Sequence, residues 1–469
     1  MNPFDSAVSL ARAVRSRQLS PVELAEAYLR RVDRHDPQLN AFVWRNDEDV
    51  LRAAKEAERA VMSGDELPPF HGVPIPVKDL NSVAGQPNTF GSAGTSDAPS
   101  EETDLSVERL LDAGFLLMGR TNTPEMGPMS VTENRRYGVT HNPWDPRFSP
   151  GGSSGGAAAA VAAGLAPLAQ ASDGGGSIRM PSSACGLVGL KPSRGRVPMR
   201  VPAWEHSATD GAITRHVEDA AAVLDVMSTP DLLGWYHAPV PHRPFADEVG
   251  RDAGRLRIGL LLSAPTGVPV DEECVAAATS LARTLEGLGH EVTPVTPRFF
   301  SQEAAQAYIE LVIPSALHLV SYERPELAEP YLQELRALAL TRNIAEYARG
   351  MALLHRESRE VVAQWGRDFD VLLTPTMACT PPPVGTVVQE KNADPTGFRL
   401  TETQMISFTF FANLTGLPAI SLPVHRTAAG LPVGAQLVGG PFDEATLIRL
   451  AASVEPLYAW TTAVPDGLR

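Results

Sequence analysis

The sequence predicts an α/β fold, and two stretches carry that prediction. Residues 257–262 (RIGLLL) read as a strand, 271–288 as an amphipathic helix with Gly289 past its end, and 291–295 as a second strand. A strand–helix–strand unit of this kind pairs its strands in parallel. The second stretch is 149–193, SPGGSSGGAAAAVAAGLAPLAQASDGGGSIRMPSSACGLVGLKPS, in which an Ala-rich helical segment and an apolar strand lie among two glycine/serine clusters. With 469 residues, 43% hydrophobic and 20% charged, the chain has the composition of a soluble globular protein with a substantial core.

The other elements follow in chain order. Ser20-Pro21-Val22-Glu23 has the form of a capping box with proline at the first helical position, Ser20 accepting from the Glu23 backbone and Glu23 returning the bond. A second helix is expected over 47–62, stopping at Gly64. Phe70-His71-Gly72-Val73-Pro74-Ile75-Pro76-Val77-Lys78-Asp79 reads as a strand whose two prolines suit an edge or irregular position. Residues 81–100 are loop-rich, 106–113 helical, and 115–119 a buried strand. Turns are expected at 121–127 and 142–146, and a helix at 217–227. The Pro-, His- and charge-rich segment 230–254 is the best candidate for a boundary. Beyond the central strand–helix–strand unit, 302–368 reads as mostly helical, 371–374 as a short buried strand and 401–413 as a helix. Strands at 419–423 and 433–438 and a helix at 444–454 complete the chain.

Charge and cysteine usage exclude several functions. Lys and Arg total 40 against 55 Asp and Glu, a net charge of −15, which argues against nucleic acid or an anionic membrane as partner. Cys185, Cys274 and Cys379 are far apart with no CxxC pair, as expected of a reducing, cytoplasmic setting and of a chain without a cysteine metal site. The N-terminus lacks the apolar core and cleavage site of a signal peptide, and 157–171 is too short and too interrupted for a membrane span.

The chemistry points to the glycine/serine clusters, Gly151-Gly152-Ser153-Ser154-Gly155-Gly156 and Asp173-Gly174-Gly175-Gly176-Ser177. Glycine backbone lets a ligand approach N–H groups closely, and two serines set in it are a plausible nucleophile and relay. A flexible linker is the plain alternative, but linkers seldom run into an Ala-rich helix and an apolar strand. Serine needs a base. GxSxG occurs on both Ser153 and Ser154, but Pro143, Pro146 and Pro150 precede it where the hydrolase elbow requires a strand, and no histidine has a suggestive setting. A lysine base is the remaining route. A free lysine is neutral less than about one time in a thousand at pH 7, but burial lowers its pKa by several units. Lys78, at the end of an apolar strand, could be such a lysine; on composition alone the plainer reading is a surface lysine that closes the strand and pairs with Asp79. No cofactor is expected: Gly189-Leu190-Lys191-Pro192 has proline where a P-loop needs a hydroxyl, no GxGxxG opens a helix, and no cluster has metal-ligand spacing.

These motifs together resemble the amidase signature enzymes. GGSSGG…SDGGGSIRMPSSACGLVGLKPSRGRV is similar to the family signature, FHGVPIPVKD to its lysine segment, and TNTPEMG, NPWDP and NLTGLPAISLPV…GLPVGAQLVG to further family segments. The resemblance runs from about residue 20 to 454 and implies one α/β domain over 1–469, a mixed sheet sandwiched by helices. Its core motifs lie at 70–230, with a variable, mostly helical substrate side at 300–410. It implies a Ser–cis-Ser–Lys triad of nucleophile Ser177, bridging Ser153 and base Lys78, the serines 24 residues apart. It implies an oxyanion hole from the N–H groups of Gly174, Gly175, Gly176 and Ser177, although position 174 usually carries a larger residue in the family. Asp173 and Arg179 are expected to brace this loop as an ion pair. The implied activity is hydrolysis of the C–N bond of small linear, cyclic or aryl amides, or of carbamates, through an acyl-enzyme. The branch it resembles contains 6-aminohexanoate cyclic dimer hydrolases, aryl acylamidases and urethanases. The alternative is the A component of a glutamyl-tRNA amidotransferase complex. Family members are often dimers, so a homodimer is compatible with the resemblance. Pocket walls are expected from 126–137, 199–206, 308–319 and 396–411.

Overall fold

Eight strands form one mixed sheet. The order is Glu291–Pro294, Arg257–Leu260, Val371–Pro375, Pro432–Val438, Ala419–Arg426, Val188–Lys191, Thr209–Thr214 and Leu168–Asp173. The computed structural model describes residues 2–468. Strand 257–260 pairs in parallel with both 291–294 and 371–375, as the strand–helix–strand reading requires; the remaining pairs are antiparallel. Alternation along Val371–Pro375 sends Val371 and Leu373 to one face, with helices Glu272–Gly287 and Glu444–Val454. Leu372 goes to the other, with Phe408 and Phe411. Helices therefore cover both faces.

A second sheet of three strands sets Leu116–Thr121 between Phe42–Trp44 and Pro74–Lys78. Pro74–Lys78 lies at its edge, and its parallel pairing with 116–121 shifts register between Ile75 and Val77. Prolines at 74 and 76 remove ladder donors, which accounts for both features.

Helix ends obey their capping residues. Asp47–Ser63 closes on left-handed Gly64, and Asp271 caps Glu272–Gly287. At Pro21–Leu39 the expected reciprocal box is not made: Ser20 Oγ accepts from Val22 and Glu23, then donates to Glu58 at 2.6 Å. A tertiary partner replaces the local one. The helix expected over 401–413 is two short ones, Leu400–Ile406 and Phe410–Thr415, because Thr409 turns inward to donate to Gly175 O at 2.7 Å. Among the described residues no helix is long and apolar enough to cross a membrane, and no cluster of His, Cys, Asp or Glu could hold a metal ion.

Candidate active site

The two sheets meet where Pro74–Lys78 ends beside Leu168–Asp173. The Lys78 backbone N–H donates to Gln170 Oε1 at 3.0 Å. The Lys78 side chain is fully buried, and its Nζ donates to Ser153 Oγ at 2.8 Å and to Ser172 Oγ at 3.1 Å. It does not pair with Asp79. The strand ends at Lys78, and Asp79 in the following turn is held instead by Arg120 (3.5 Å), Thr89 Oγ1 (2.5 Å) and the Gly91 N–H (3.1 Å). Burial pushes the Lys78 ammonium down to about 7, against the pull of Asp210 and Asp173.

Asp210 belongs to the same buried network. Its Oδ2 accepts from Asn81 Nδ2 at 2.9 Å and Ser106 Oγ at 2.6 Å, and Asn81 Oδ1 in turn accepts from Gln170 Nε2 at 3.0 Å. Burial raises the Asp210 carboxyl to about 6. Lys78 thus titrates close to a network of side chains that hydrogen-bond one another.

Ser153 follows a cis peptide bond from Gly152. Gly152 lies against Val131, where an added Cβ would stand 2.6 Å from backbone atoms, so no larger residue fits. Helix Gly155–Ala162 begins two residues later, entirely buried, its alanines and glycines permitting the close approach.

Ser177 lies on the loop between strand Leu168–Asp173 and helix Arg179–Cys185. Asp173 shapes that loop. Its carboxylate accepts from the N–H groups of Gly176 (2.7 Å) and Ile178 (3.1 Å) and from Arg179 Nε and Nη2, both at 2.9 Å. Burial would raise the Asp173 carboxyl, but the Arg179 guanidinium outweighs it and holds it well below the usual carboxylate range. Arg179 continues to Thr409 O, Gln436 Oε1 and Asn413 Oδ1. Gly176 has φ +131°, and a Cβ there would run into the Thr409 side chain.

The predicted residues are brought together unequally. Ser153 and Ser177 line one cavity of about 380 Å³, with Ser172 and Gly174. Lys78 reaches Ser153, but Ser177 Oγ has no hydrogen-bond partner among the described residues. The Gly176 N–H, expected in the oxyanion hole, is engaged by Asp173. Those of Gly174, Gly175 and Ser177 meet no acceptor among the described residues. Three of the four expected walls are present, through Met126, Met199, Trp204 and Leu317. The fourth, 396–411, instead backs the glycine loop through Thr409 and Phe410.

Sequence reasoning missed Gln170, Ser172, Asn81 and Asp210. Gln170 and Ser172 had a signal: polar residues two apart in an otherwise apolar strand share one face. Asp210 had none, since its partners come from residues distant in sequence.

A model of the Amidase family matches residues 23–448 of the chain. The chain belongs to the amidase family. It is 37% identical over 469 residues to the acylamidase of Rhodococcus erythropolis, spanning 98% of this chain and 97% of that one. The solved structure of a 6-aminohexanoate cyclic dimer hydrolase complexed with substrate superposes with a TM-score of 0.93 at 32% identity, covering 100% of both chains. The A component of the glutamyl-tRNA(Gln) amidotransferase from Thermotoga maritima is also similar, with a TM-score of 0.76, 28% identity, and 93% and 91% of the two chains covered. As a family member this protein is a hydrolase of amides.

Proposed function

We propose that this amidase cleaves the C–N bond of small amides through an acyl-enzyme on Ser177, with Ser153 as relay and Lys78 as base. The observation that carries the reading is the 2.8 Å hydrogen bond from buried Lys78 Nζ to Ser153 Oγ, at the wall of the cavity that also holds Ser177. A lysine held near 7 is partly neutral at physiological pH and can accept a proton.

Neutral Lys78 takes the Ser153 hydroxyl proton as Ser153 takes that of Ser177, whose Oγ turns toward it on substrate binding. Ser177 Oγ attacks the carbonyl carbon. The oxyanion is met by the N–H groups of Gly174, Gly175 and Ser177, while Gly176 keeps the loop in shape through Asp173. The proton returns through Ser153 to the departing nitrogen, which would otherwise leave as a poor amide anion. Water then enters, loses a proton along the same path and releases the acid.

A cavity of about 380 Å³ suits a small molecule. Linear, cyclic and aryl amides all present the same carbonyl, and a carbamate adds one oxygen beside it without altering the attack. Nothing in these steps calls for a cofactor. The higher TM-score and full coverage toward the cyclic dimer hydrolase favour a self-sufficient amidase over an amidotransferase component. The purified chain alone should hydrolyse at least one of a p-nitroanilide, a cyclic amide and an aryl carbamate, and Ser177→Ala should abolish the turnover. Near-wild-type turnover by Ser177→Ala, or none by the wild type on the whole panel, would overturn the proposal.

A further inference from the structure

We propose that Trp204 is a specificity-determining residue that takes the place of the side chain position 174 lacks, confining the site to amides that are slender or flat beside the scissile bond. The proposal rests on the assignment of Ser177 as nucleophile.

The indole lies directly on the glycine loop. A Cβ built on Gly174 would stand 2.9 Å from Trp204 Cε3 and 3.1 Å from Cζ3, so the ring occupies the space a side chain there would need. Gly174 and Trp204 line the reaction cavity together with Ser177. Trp204 also packs against the cluster of Tyr308 and Leu414, as does Phe410. The ring is therefore wedged between the loop that carries the nucleophile and the helical segment that carries Tyr308.

Its position is imposed by the backbone. Trp204, Glu205 and His206 all have positive φ, 55°, 49° and 61°. Three consecutive non-glycine residues in the left-handed region occur only where surrounding structure over-determines them. Ser207 N and Oγ both donate to Trp204 O, at 3.1 and 2.7 Å, and Arg194 Nε donates to His206 O at 2.7 Å. Glu205 and His206 are tied to Tyr347 and Tyr236. Asn413 Nδ2 donates to Ser207 O at 3.2 Å and to Asp173 O at 2.9 Å, so one side chain clamps both the turn and the root of the glycine loop. The indole thus has a fixed relation to the loop. The indole also lines the cavity beside Ser177, and the wall it forms there narrows the space next to the scissile bond, which admits a methylene chain or an aryl group more readily than a branched carbon.

The experiment compares kcat/KM for unbranched and branched substrates on each flank of the carbonyl. Hexanoyl and pivaloyl p-nitroanilides test the acyl flank, and N-methyl and N-tert-butyl hexanamide the amine flank. Trp204→Ala should raise the branched-to-unbranched ratio by about ten-fold or more on at least one flank. Trp204→Phe, which keeps a ring in the wedge, should raise it less. Gly174→Ala should lower kcat for the hexanoyl anilide about ten-fold, and much less in the Trp204→Ala background, because the added methyl then meets no indole. Ratios unchanged on both flanks in both Trp204 variants would overturn the proposal, as would an equal effect of Gly174→Ala in both backgrounds. Failure of the nucleophile assignment looks different: wild type and Ser177→Ala would then behave alike on the hexanoyl anilide.

Discussion

Replacing Arg179 with methionine tests how the catalytic loop is held. The guanidinium is fully buried and bonds Asp173 twice, Thr409 O, Gln436 Oε1 and Asn413 Oδ1, at 2.6 to 2.9 Å. Methionine of similar length fills the space but leaves Asp173 without the guanidinium and Gln436 Oε1 and Asn413 Oδ1 without a donor, while Thr409 O keeps only the Ala412 N–H. Removing one partner of a buried ion pair costs about 3–5 kcal/mol. The pH dependence supplies a second, sharper expectation. In the wild type Asp173 is held below its unfolded value, so its contribution is present above about pH 4 and is lost only as pH falls through the depressed folded value. In Arg179→Met, burial is opposed only by the weaker pull of Lys191 and the bond from Asn413, so the same carboxyl is lifted above its unfolded value. The penalty is then full at pH 7 and relieved as protonation sets in. Urea unfolding followed by tryptophan fluorescence should therefore show a loss of about 3–5 kcal/mol at pH 7 that shrinks at pH 5. Asp173→Asn in the Arg179→Met background should restore part of it by removing the unpaired charge. A loss under about 1 kcal/mol, or one equal at both pH values, would refute the reasoning.

Three further outcomes follow from the same geometry, with a fourth at helix Pro21–Leu39. The rate profile of kcat/KM should have an acid limb centred near pH 7, because Lys78, pushed down to about 7, must be neutral to act; a stopped pH series checks it. Asp210→Asn removes an anion that favours the Lys78 ammonium and should move that limb to lower pH, so an upward shift would contradict the network. Ser153→Ala leaves Lys78 Nζ with Ser172 alone and should lower kcat by about 10²–10⁴ with intact folding by circular dichroism. Ser20→Ala removes a cap and its link to Glu58 and should cost about 1 kcal/mol in urea titration with kcat unchanged.

Much of the fold was legible because local chemistry and tertiary structure agree. Helix Val217–Met227 and helix Glu444–Val454 have the bounds their apolar spacing indicates, and strands 257–260 and 291–294 pair in parallel as their connecting helix requires. The prolines of Pro74–Lys78 marked an edge strand correctly. Legibility ended where a distant partner overrides a local pattern. Ser20 and Glu23 look like a closed box, yet Glu58 takes the serine hydroxyl. Residues 401–413 have helical composition, yet Thr409 breaks the helix to hold Gly175. At the site, small residues drew attention to Ser153 and Ser177, whereas Asp210 and Asn81 act through contacts that no spacing encodes. The Gly176 N–H shows the same limit: only the folded loop reveals that Asp173 has taken it.

The central claim is a covalent acyl-enzyme on Ser177. Intact mass after phenylmethylsulfonyl fluoride, with peptide mapping of the adduct, tests it most directly. The account predicts a single adduct mapped to Ser177, absent in Ser177→Ala and formed more slowly as pH falls below about 7 with protonation of Lys78. An adduct on another residue, or full labelling of Ser177→Ala, would contradict it.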